Sequence, residues 1–295
     1  MDTKNMDLRP DWTQPKYDSL GKIDLSVNVC HDVKLPKFEF DYSMYSETSK
    51  CYNILSDYHG VYARQIAIGL GLSELFMRIA AVIKENEWSM RVVGSPTWSV
   101  PAMTQKLYGI PHGDDVVYIA NPSGNTGEYV DTEEWNDKCK LLIVDEAYAD
   151  FTDMPKTKFN TKTMILKTMS KSLSLPGIRF GWAIGYEPII AQIQNMRPAQ
   201  VCIGGVEDQL INMLDEIPHH VNRMNQTKKY LEKNYNCIPS HGNYILIKNS
   251  DKLQKFFKMK ELNDGVMRMA LINRQFVTKN ALDKDHPFFN RTQPD

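Results

Sequence analysis

The chain has 295 residues, 42% of them hydrophobic, with 35 basic and 36 acidic side chains and a formal net charge of −1. This length allows one large domain or two ordinary ones, and the balanced charge argues against nucleic acid or an anionic membrane surface as the main partner. The polar start of the sequence predicts no signal peptide, and no stretch approaches the ~18 apolar residues of a membrane span.

The N-terminal part of the sequence is predicted to be an arm and not a domain. Residues 1–36 are polar and show little periodicity, apart from an alternation at 23–29 that is typical of a short strand. Residues 37–58 are rich in tyrosine and phenylalanine, which we interpret mainly as core packing.

Between residues 65 and 185, short apolar strands alternate with helices or loops, which is typical of an α/β fold with a largely parallel sheet. A helix with Ser73 as its N-cap is predicted for residues 74–87. After residue 188 the pattern becomes helical as far as residue 233, with a break at Pro218, and a weaker α+β region follows. The predicted strands are 65–68, 91–94, 116–120, 141–144, 163–169, 178–185, 243–247 and 266–271, and further short helices are predicted at 133–138 and 251–259.

A glycine turn precedes the first of these helices. Gly69 and Gly71 stand directly before it, so the amides of Leu72 and Ser73 would lie at a helix N-terminus. Such amides can cradle a phosphate group. A glycine pair this short usually marks only a tight turn, so its meaning depends on the other segments.

The segment 170–182 holds a lysine between two serines, followed by a Pro-Gly turn and an arginine. The hydroxyl of Ser170 and the guanidinium of Arg179 suit an anion such as phosphate. Lys171 can form a Schiff base with a carbonyl. A lysine that binds an aldehyde beside a phosphate site suggests pyridoxal phosphate, whereas the same Lys-Ser pair taken alone is equally typical of a solvated turn.

Polar residues also follow the predicted buried strands. Asp145 stands at the carboxyl end of one strand, where open α/β sheets bind ligands. Its carboxylate can hold a pyridine nitrogen protonated, and Tyr148 can donate a hydrogen bond to a phenolic oxygen. The turn at 121–127 contains Asn121 and Asn125, either of which can join Tyr148 at that oxygen.

Two further residues complete the set of candidates. Trp98 stands at the exit of a strand, where its indole can stack on a pyridine ring. Arg268, in the middle of a late strand, can bind the carboxylate of an α-amino acid in a bidentate manner. Each has a plainer interpretation, since Trp98 alone is typical of a core residue and Arg268 alone of a salt-bridged one.

Taken in their order along the chain, these segments resemble the fold-type I, class I/II aminotransferases, and in style the histidinol-phosphate aminotransferase branch. The resemblance runs from about residue 23 to about residue 272. It implies a three-layer, mostly parallel α/β large domain that binds pyridoxal 5′-phosphate, and a small α+β C-terminal domain. The matching segments are 69–75, 96–98, 121–127, 144–148 and 170–182, with a fainter match at 267–269.

The resemblance also implies boundaries and an assembly. It divides the chain into an arm at 1–36, a large cofactor-binding domain at 37–195 with the long helix after it as connector, and a shortened small domain at 196–295. It implies a cytoplasmic homodimer of amino acid biosynthesis that acts on a small-molecule amino donor and a 2-oxo acid. The five widely spaced cysteines fit a reducing compartment, and no ligand spacing suggests a metal site.

Residue by residue, the resemblance implies the following roles. Lys171 forms the Schiff base with the cofactor and shuttles the proton, and Asp145 pairs with the pyridine nitrogen. Arg268 binds the substrate carboxylate. The other implied contacts are Leu72, Ser73, Ser170 and Arg179 at the phosphate, Tyr148 with Asn121 or Asn125 at the phenolic oxygen, Trp98 on the ring, Asn28 near the substrate, and Tyr42 or Tyr45 at the phosphate of the neighbouring subunit.

The sequence departs from the family's pattern at two places. The usual turn is Asn-Pro-Asn-Asn-Pro-Thr-Gly, and its second adjacent asparagine is replaced here by Gly124, with Asn125 one place later. Either Asn125 substitutes through a shifted turn, or the contact is lost. Histidinol-phosphate enzymes generally carry a second arginine upstream of the carboxylate-binding one, and this chain offers only Lys255, Lys258 and Lys260 there, which argues against histidinol phosphate itself.

Two alternatives to transamination stay open from the sequence. A decarboxylase on the same scaffold, similar to the threonine-phosphate decarboxylases, would share these segments. A non-catalytic binding protein of the same fold is favoured by Gly124 and by the shortened C-terminal part, whereas Lys171, Asp145 and Arg179 favour an enzyme.

Overall fold

The computed structural model describes residues 19–20, 22–30, 39, 48–94, 97–197, 209, 211–248, 251–254, 257–262 and 265–271. These residues belong to two compact units. The first unit comprises the described residues between 37 and 221, and the second comprises those before residue 36 together with those from 222 onward. Within these ranges, no helix has both the length and the apolar character needed to cross a membrane.

Short strands and helices alternate along most of the described chain. The helices are α1 (Ser49–His59), α2 (Gly71–Glu85), α3 (Ser99–Leu107), α4 (Met169–Ser172), α5 (Glu187–Asn195), α6 (Ile217–Asn234) and α7 (Asp251–Gln254). The strands are β1 (Ile23–Asp24), β2 (Ile66–Leu70), β3 (Met90–Val93), β4 (Val116–Ala120), β5 (Leu141–Asp145), β6 (Thr163–Thr168), β7 (Phe180–Ile184), β8 (Cys237–Ile238), β9 (Tyr244–Lys248), β10 (Phe257–Lys258), β11 (Lys260–Glu261) and β12 (Val266–Ala270).

Six strands of the first unit form one sheet in the order β2-β7-β6-β5-β4-β3. Strands β3 to β6 run parallel to one another, and β7 runs antiparallel to both of its neighbours. This mostly parallel sheet, with helices between its strands, confirms the predicted α/β class. Because parallel strands end at the same edge, the residues that follow β4, β5 and β6 are brought together there.

The middle of this sheet is the core of the first unit. Every residue of β4, β5 and β7 is buried, as expected for strands that are covered on both faces. Valine, leucine and isoleucine dominate β4 and β5, since aliphatic side chains pack well on a pleated surface. Helix α2 contacts β2 and β7 and buries Leu75, Phe76 and Ile79 almost completely.

The second unit has the α+β character predicted for the C-terminal part. Its main sheet is antiparallel, with the strand order β11-β12-β9-β8, and β1 pairs with β10 in a separate ribbon. The ammonium group of Lys228, on α6, is buried and donates to the carbonyl oxygens of Ser240 and Gly242. These bonds tie α6 to the loop before β9.

Helix α2 begins at Gly71 instead of residue 74, and Leu70 occupies the N-cap position, so the prediction of Ser73 as the N-cap is wrong. The carboxylate of Glu74, a residue of the helix itself, instead accepts the Leu70 N–H at 3.1 Å. This backbone donor at the helix N-terminus therefore has a hydrogen-bond partner. Arg78 pairs with Glu74 at 2.7 Å, which neutralises the carboxylate. The helix N-terminus therefore starts directly at the glycine turn.

Two other predicted boundaries also differ. The strand predicted at 23–29 ends at Asp24, because the N–H and the hydroxyl of Ser26 both donate to the Asp24 carboxylate and turn the chain. Pro218 lies in the first turn of α6, so it begins a helix and does not break one. Proline is well tolerated there because the first N–H groups of a helix have no partner within it.

The helix predicted at 251–259 is wrong in its second half. Helix α7 ends at Gln254, and Phe257–Lys258 forms β10. Buried and exposed side chains alternate from Phe257 to Lys260, which is the period of a strand. The backbone pairing of β10 with the distant β1 stabilises this conformation, and no local pattern announces it.

Candidate active site

Three parallel strands of the first unit deliver polar residues to one edge of the sheet. Strand β5 ends at Asp145, β6 leads into α4 with Lys171, and β4 leads into the turn at 121–127. Strands β4, β5 and β6 are direct neighbours. The residues predicted to surround a cofactor ring therefore follow adjacent strand ends.

Asp145 is a buried carboxylate, 6% exposed, with a partner for each oxygen. Its Oδ1 accepts the Ala147 N–H at 3.0 Å, and its Oδ2 accepts the Tyr118 hydroxyl at 2.8 Å. Burial raises the pKa of Asp145, and the two hydrogen bonds and the charge of Lys171 act in the opposite direction. A buried carboxylate with a raised pKa gains from a cationic partner.

Lys171 lies on α4, a single helical turn directly after β6. Thr168 caps this turn, since its Oγ1 accepts the Ser170 N–H at 3.1 Å. The Lys171 ammonium is half-buried and lies 5.7 Å from the centroid of the Tyr148 ring. Lys171, Tyr148 and Asp145 thus share one region at the end of β5 and β6.

A cationic cradle lies at the start of α2. The guanidinium of Arg179 donates to the Pro176 carbonyl at 2.7 Å and lies 3.5 Å from the Leu70 carbonyl oxygen. It fits against Gly71 so closely that a Cβ there would lie 2.5 Å from the Arg179 Nη2. The charge of Arg179 therefore adds to the positive N-terminal end of α2, where the Leu72 and Ser73 amides lie.

The lysine segment is joined to this cradle through β7. Gly181 approaches the start of α2, where a Cβ on it would lie 3.2 Å from both the Gly71 carbonyl carbon and the Leu72 nitrogen. Gly181 also pairs with Thr168, whose Oγ1 lies 2.9 Å from the Ser170 hydroxyl oxygen. Ser170, on α4, therefore follows directly after the strand end that borders the N-terminus of α2.

An aromatic series runs from Trp98 to the partner of Asp145. Trp98 is half-buried and meets Phe76 edge-on at 6.2 Å between ring centroids. Phe76 meets the Tyr118 ring edge-on at 5.4 Å. Sequence reasoning missed Phe76 and Tyr118, although a lone tyrosine in the otherwise aliphatic strand β4 is a signal for a buried hydrogen bond.

The asparagines of the turn at 121–127 form hydrogen bonds to backbone groups on either side of the turn. The Asn121 carboxamide donates to the Val130 carbonyl and accepts the Val130 N–H, each at 2.9 Å. The Asn125 carboxamide donates to the Thr97 carbonyl at 2.9 Å. Gly124 packs directly on the Tyr148 ring, where a Cβ would lie 2.7 Å from Cε2.

Two other predicted substrate contacts lie in the second unit. Arg268 is 5% exposed on β12, donates to the Ser26 carbonyl at 3.2 Å, and lies 5.5 Å from the centroid of the Tyr244 ring. Asn28 is 6% exposed in the same unit. Tyr42 and Tyr45 lie outside the described residues.

Comparison with known proteins identifies the family. Residues 89–278 match the sequence model described as aminotransferase class I and II, which is more than half of the chain. The chain belongs to the class I and II aminotransferase family. Pyridoxal 5′-phosphate is the cofactor of this aminotransferase.

The relatives of this aminotransferase share a common description. Histidinol-phosphate aminotransferase from Pyrococcus furiosus is 26% identical over 250 residues, covering 73% of this chain and 72% of that protein. The enzyme of the same name from Brachyspira hyodysenteriae is 28% identical over 200 residues, covering 60% of this chain and 56% of that protein. The structure of histidinol-phosphate aminotransferase from Sinorhizobium meliloti in complex with pyridoxal-5′-phosphate has a TM-score of 0.64 at 16% identity, covers 78% of each chain, and shows the shared fold.

The donor set of this aminotransferase fits pyridoxal phosphate. The buried carboxylate of Asp145 suits a protonated pyridine nitrogen, and the Lys171 amine suits an aldehyde. The Arg179 guanidinium and the N-terminus of α2 suit a phosphate group. Gly71 is matched to this arrangement, since any larger residue would displace the guanidinium.

Proposed function

We propose that this aminotransferase moves an amino group from an amino acid, or an amino-acid-like phosphate ester, to a 2-oxo acid, with Lys171 as the catalytic amine. The observation that carries this proposal is the grouping of Lys171, Tyr148 and Asp145 at one edge of the sheet, with the lysine Nζ 5.7 Å from the tyrosine ring centroid. An amine, a hydroxyl and a buried carboxylate are the groups that amino-group transfer requires.

The cofactor and the protein would each supply part of the chemistry. When bound, pyridoxal phosphate supplies an aldehyde that takes up the amino group and an electron-withdrawing ring that acidifies the substrate α-carbon. Asp145 keeps the ring nitrogen protonated, and Tyr148 donates to the phenolic oxygen. Lys171 would supply the amine that takes the cofactor's aldehyde, and the same amine would carry the proton from the substrate α-carbon.

Residues around α2 and α4 would anchor the cofactor. The Leu72 and Ser73 amides, the Ser170 hydroxyl and the Arg179 guanidinium bind the phosphate, and Trp98 covers the ring. Because these groups are fixed by β7, by Thr168 and by the start of α2, they would hold the cofactor's phosphate independently of Lys171. Asn121 and Asn125 shape the turn that supports Tyr148.

We assign substrate selection to the second unit. Arg268 binds the carboxylate of the amino donor, as bidentate arginine does, and Asn28 approaches the substrate. Lys258 donates to the Asp24 carboxylate at 2.9 Å, so its charge is already compensated. The relatives carry the name histidinol-phosphate aminotransferase, and we favour an amino acid donor because a carboxylate suits Arg268.

We further propose a cytoplasmic homodimer in which Tyr42 or Tyr45 reaches the phosphate of the other subunit. Family resemblance supports this assembly. None of the four cysteines among the described residues forms a disulfide, which fits a reducing compartment.

The proposal is tested by spectroscopy of the protein after incubation with pyridoxal phosphate. We expect a yellow protein whose borohydride-reduced adduct maps to Lys171 by peptide mass spectrometry. Lys171→Ala should abolish transfer to 2-oxoglutarate from every donor in a screen of amino acids and histidinol phosphate. Lys162→Ala, which changes an exposed lysine directly before β6, is the matched control and should retain activity.

Three results would contradict the proposal. Full activity of Lys171→Ala would remove the lysine from the mechanism. Release of carbon dioxide in place of an amino transfer product would indicate a decarboxylase of the same fold. A colourless protein that takes up no cofactor would indicate a binding protein without this chemistry.

A further inference from the structure

A cavity lies in the first unit, on the face of its sheet opposite the Asp145 side chain. It has a volume of about 350 Å³. Asp145 pairs with Leu166, whereas Lys167 pairs with Trp182, one position along the strands. Because successive side chains in a strand point to opposite faces, Lys167 and Trp182 project away from the Asp145 face. The cavity, here called the rear cavity, is lined among others by His59, Glu146, Asp150, Lys156, Lys167 and Trp182.

The inner end of the rear cavity carries a buried ion cluster. The Lys167 ammonium lies 3.2 Å from Oε2 of Glu146 and 3.9 Å from Oδ1 of Asp150. Glu146 is 3% exposed and its other oxygen accepts the Thr157 N–H at 3.0 Å, so both of its oxygens are occupied. Asp150 is more accessible, and among the described residues its carboxylate meets Lys167 alone, so it keeps capacity to bind a donor.

A second ammonium group faces the rear cavity from outside. Lys156 lines the cavity, is exposed, and forms no ion pair with any residue that the structure describes. The ionised lining groups are therefore two carboxylates and two ammonium groups, which balance. Asp150, at 3.9 Å from the Lys167 ammonium, is the more loosely paired carboxylate, and Lys156 is the ammonium group without an ion pair among the described residues.

Most of the other lining side chains are aromatic or aliphatic, and Thr157 and Thr168 add two hydroxyl groups. The Trp182 indole is 2% exposed and donates to Nε2 of His59 at 3.0 Å. Burial and the charge of Lys167 lower the pKa of His59 to about 4, so its imidazole is neutral near neutral pH. Ile165 and Ile184 complete the apolar wall.

We infer that the rear cavity binds a free α-amino acid with an apolar or aromatic side chain. The ammonium group of such a ligand meets Asp150, its carboxylate meets Lys156, and its side chain lies against Trp182 and the isoleucines. A zwitterion matches a lining that offers one available charge of each sign, and the volume lies in the range of small-molecule sites, roughly 300–1,000 Å³.

This site would be separate from the proposed active site but adjacent to it in the chain. Glu146 follows Asp145 directly, and Asp150 comes two residues after Tyr148. A ligand in the rear cavity therefore contacts the segment that carries two of the proposed catalytic groups. The inference does not depend on the proposed function, because its contacts lie on the other face of the sheet.

The test uses N,N-dimethyl-L-phenylalanine as the probe. Its tertiary amine keeps the charges of an amino acid but cannot condense with an aldehyde or be transferred. Isothermal titration of the cofactor-loaded protein should show one saturable site per chain with a dissociation constant below about 1 mM. Asp150→Asn and Lys156→Gln should each weaken binding at least tenfold, whereas Asp153→Asn, an exposed carboxylate of the same loop, should not.

Two variants keep the test decisive, because Lys156 forms no ion pair within the described part of the chain whose loss would unfold the protein. Circular dichroism should show that all variants are folded. Absence of saturable binding overturns the inference. So does binding that survives both substitutions, binding that is lost with Asp153→Asn as well, or binding that is lost with Lys171→Ala and not with Asp150→Asn, which would place the probe in the active site.

Discussion

The hydroxyl of Tyr118 donates a hydrogen bond of 2.8 Å to Oδ2 of Asp145. Tyr118 is fully buried, and burial raises its pKa well above the usual value, so it stays a protonated donor throughout the working pH range. Its bond stabilises the ionised form of a carboxylate whose own pKa burial raises. Tyr118 is thus a positioning residue that helps to keep Asp145 charged.

Tyr118→Phe should weaken the binding of pyridoxal phosphate by roughly tenfold, because a hydrogen bond to a charged group contributes about 1.5–3 kcal/mol and about 1.4 kcal/mol is a factor of ten. Loss of the bond raises the pKa of Asp145 further, so the deficit should grow as the pH falls. Equilibrium dialysis of the cofactor across a pH series measures both effects.

The control for this prediction is Tyr118→Phe introduced into the Asp145→Asn variant. With the carboxylate absent, Tyr118→Phe should weaken the binding of pyridoxal phosphate only slightly. The size of this remaining loss should not change with pH. A deficit that is the same at every pH, or that persists in full beside Asp145→Asn, would show that Tyr118 acts only by packing.

Gly71→Ala should damage the phosphate cradle. The new Cβ would lie 2.5 Å from the Arg179 Nη2, and Gly71 has φ 69°, a conformation that costs a side-chain-bearing residue about 1–3 kcal/mol. We expect a lower melting temperature and weaker binding of both pyridoxal phosphate and inorganic phosphate. Gly177→Ala, in the same segment as Arg179 but with open space around it, should leave both unchanged.

Gly124→Ala should disturb Tyr148. The Cβ would lie 2.7 Å from the Tyr148 Cε2, so the ring must move away. We expect slower turnover and a shifted absorbance maximum of the bound cofactor. In the Tyr148→Ala variant, Gly124→Ala should have almost no additional effect on turnover. An effect of full size in that variant would show that Gly124→Ala acts through the turn and not through Tyr148.

Protein stability should fall in mild acid because of His59. Burial, chiefly, lowers its pKa in the folded chain from 6.5 to about 4. Between these values the unfolded chain binds the proton and the folded chain does not, so the free energy of unfolding decreases as the pH drops through this window. Urea unfolding at pH 7 and pH 5 should show a smaller decrease for His59→Gln than for the parent, while His112→Gln, at an exposed histidine, should keep the parent's decrease.

Much of the first unit could be predicted because its strands are continuous apolar runs with polar residues at their carboxyl ends. The parallel arrangement then requires Lys171 and Asp145 to meet at one edge, and the structure places them there. The start of α2 could not be predicted in this way. It depends on the Glu74 carboxylate, which accepts the Leu70 N–H. The residue types around the glycine turn do not predict that this hydrogen bond forms.

The rest of the site escaped prediction because it depends on direction and on distant partners. Tyr118 in a buried strand is typical of core packing, and only the register of β4 beside β5 aims its hydroxyl at Asp145. Strand β10 forms because β1, more than two hundred residues earlier, pairs with it. Lys167 lies within one predicted strand and Glu146 follows another, and no local pattern predicts that the sheet brings their charged groups to 3.2 Å.

The antiparallel strand β7 joins the beginning of the first unit to its end. Through its pairing with β2, Leu70 comes opposite Phe180, although they are separated by most of the unit's sequence. The glycine turn and Arg179 therefore form no anion cradle in a chain that has been synthesised only as far as β6. Uptake of the coloured cofactor should accordingly report that β7 has been inserted into the sheet, so the colour of the protein can be used to follow that insertion.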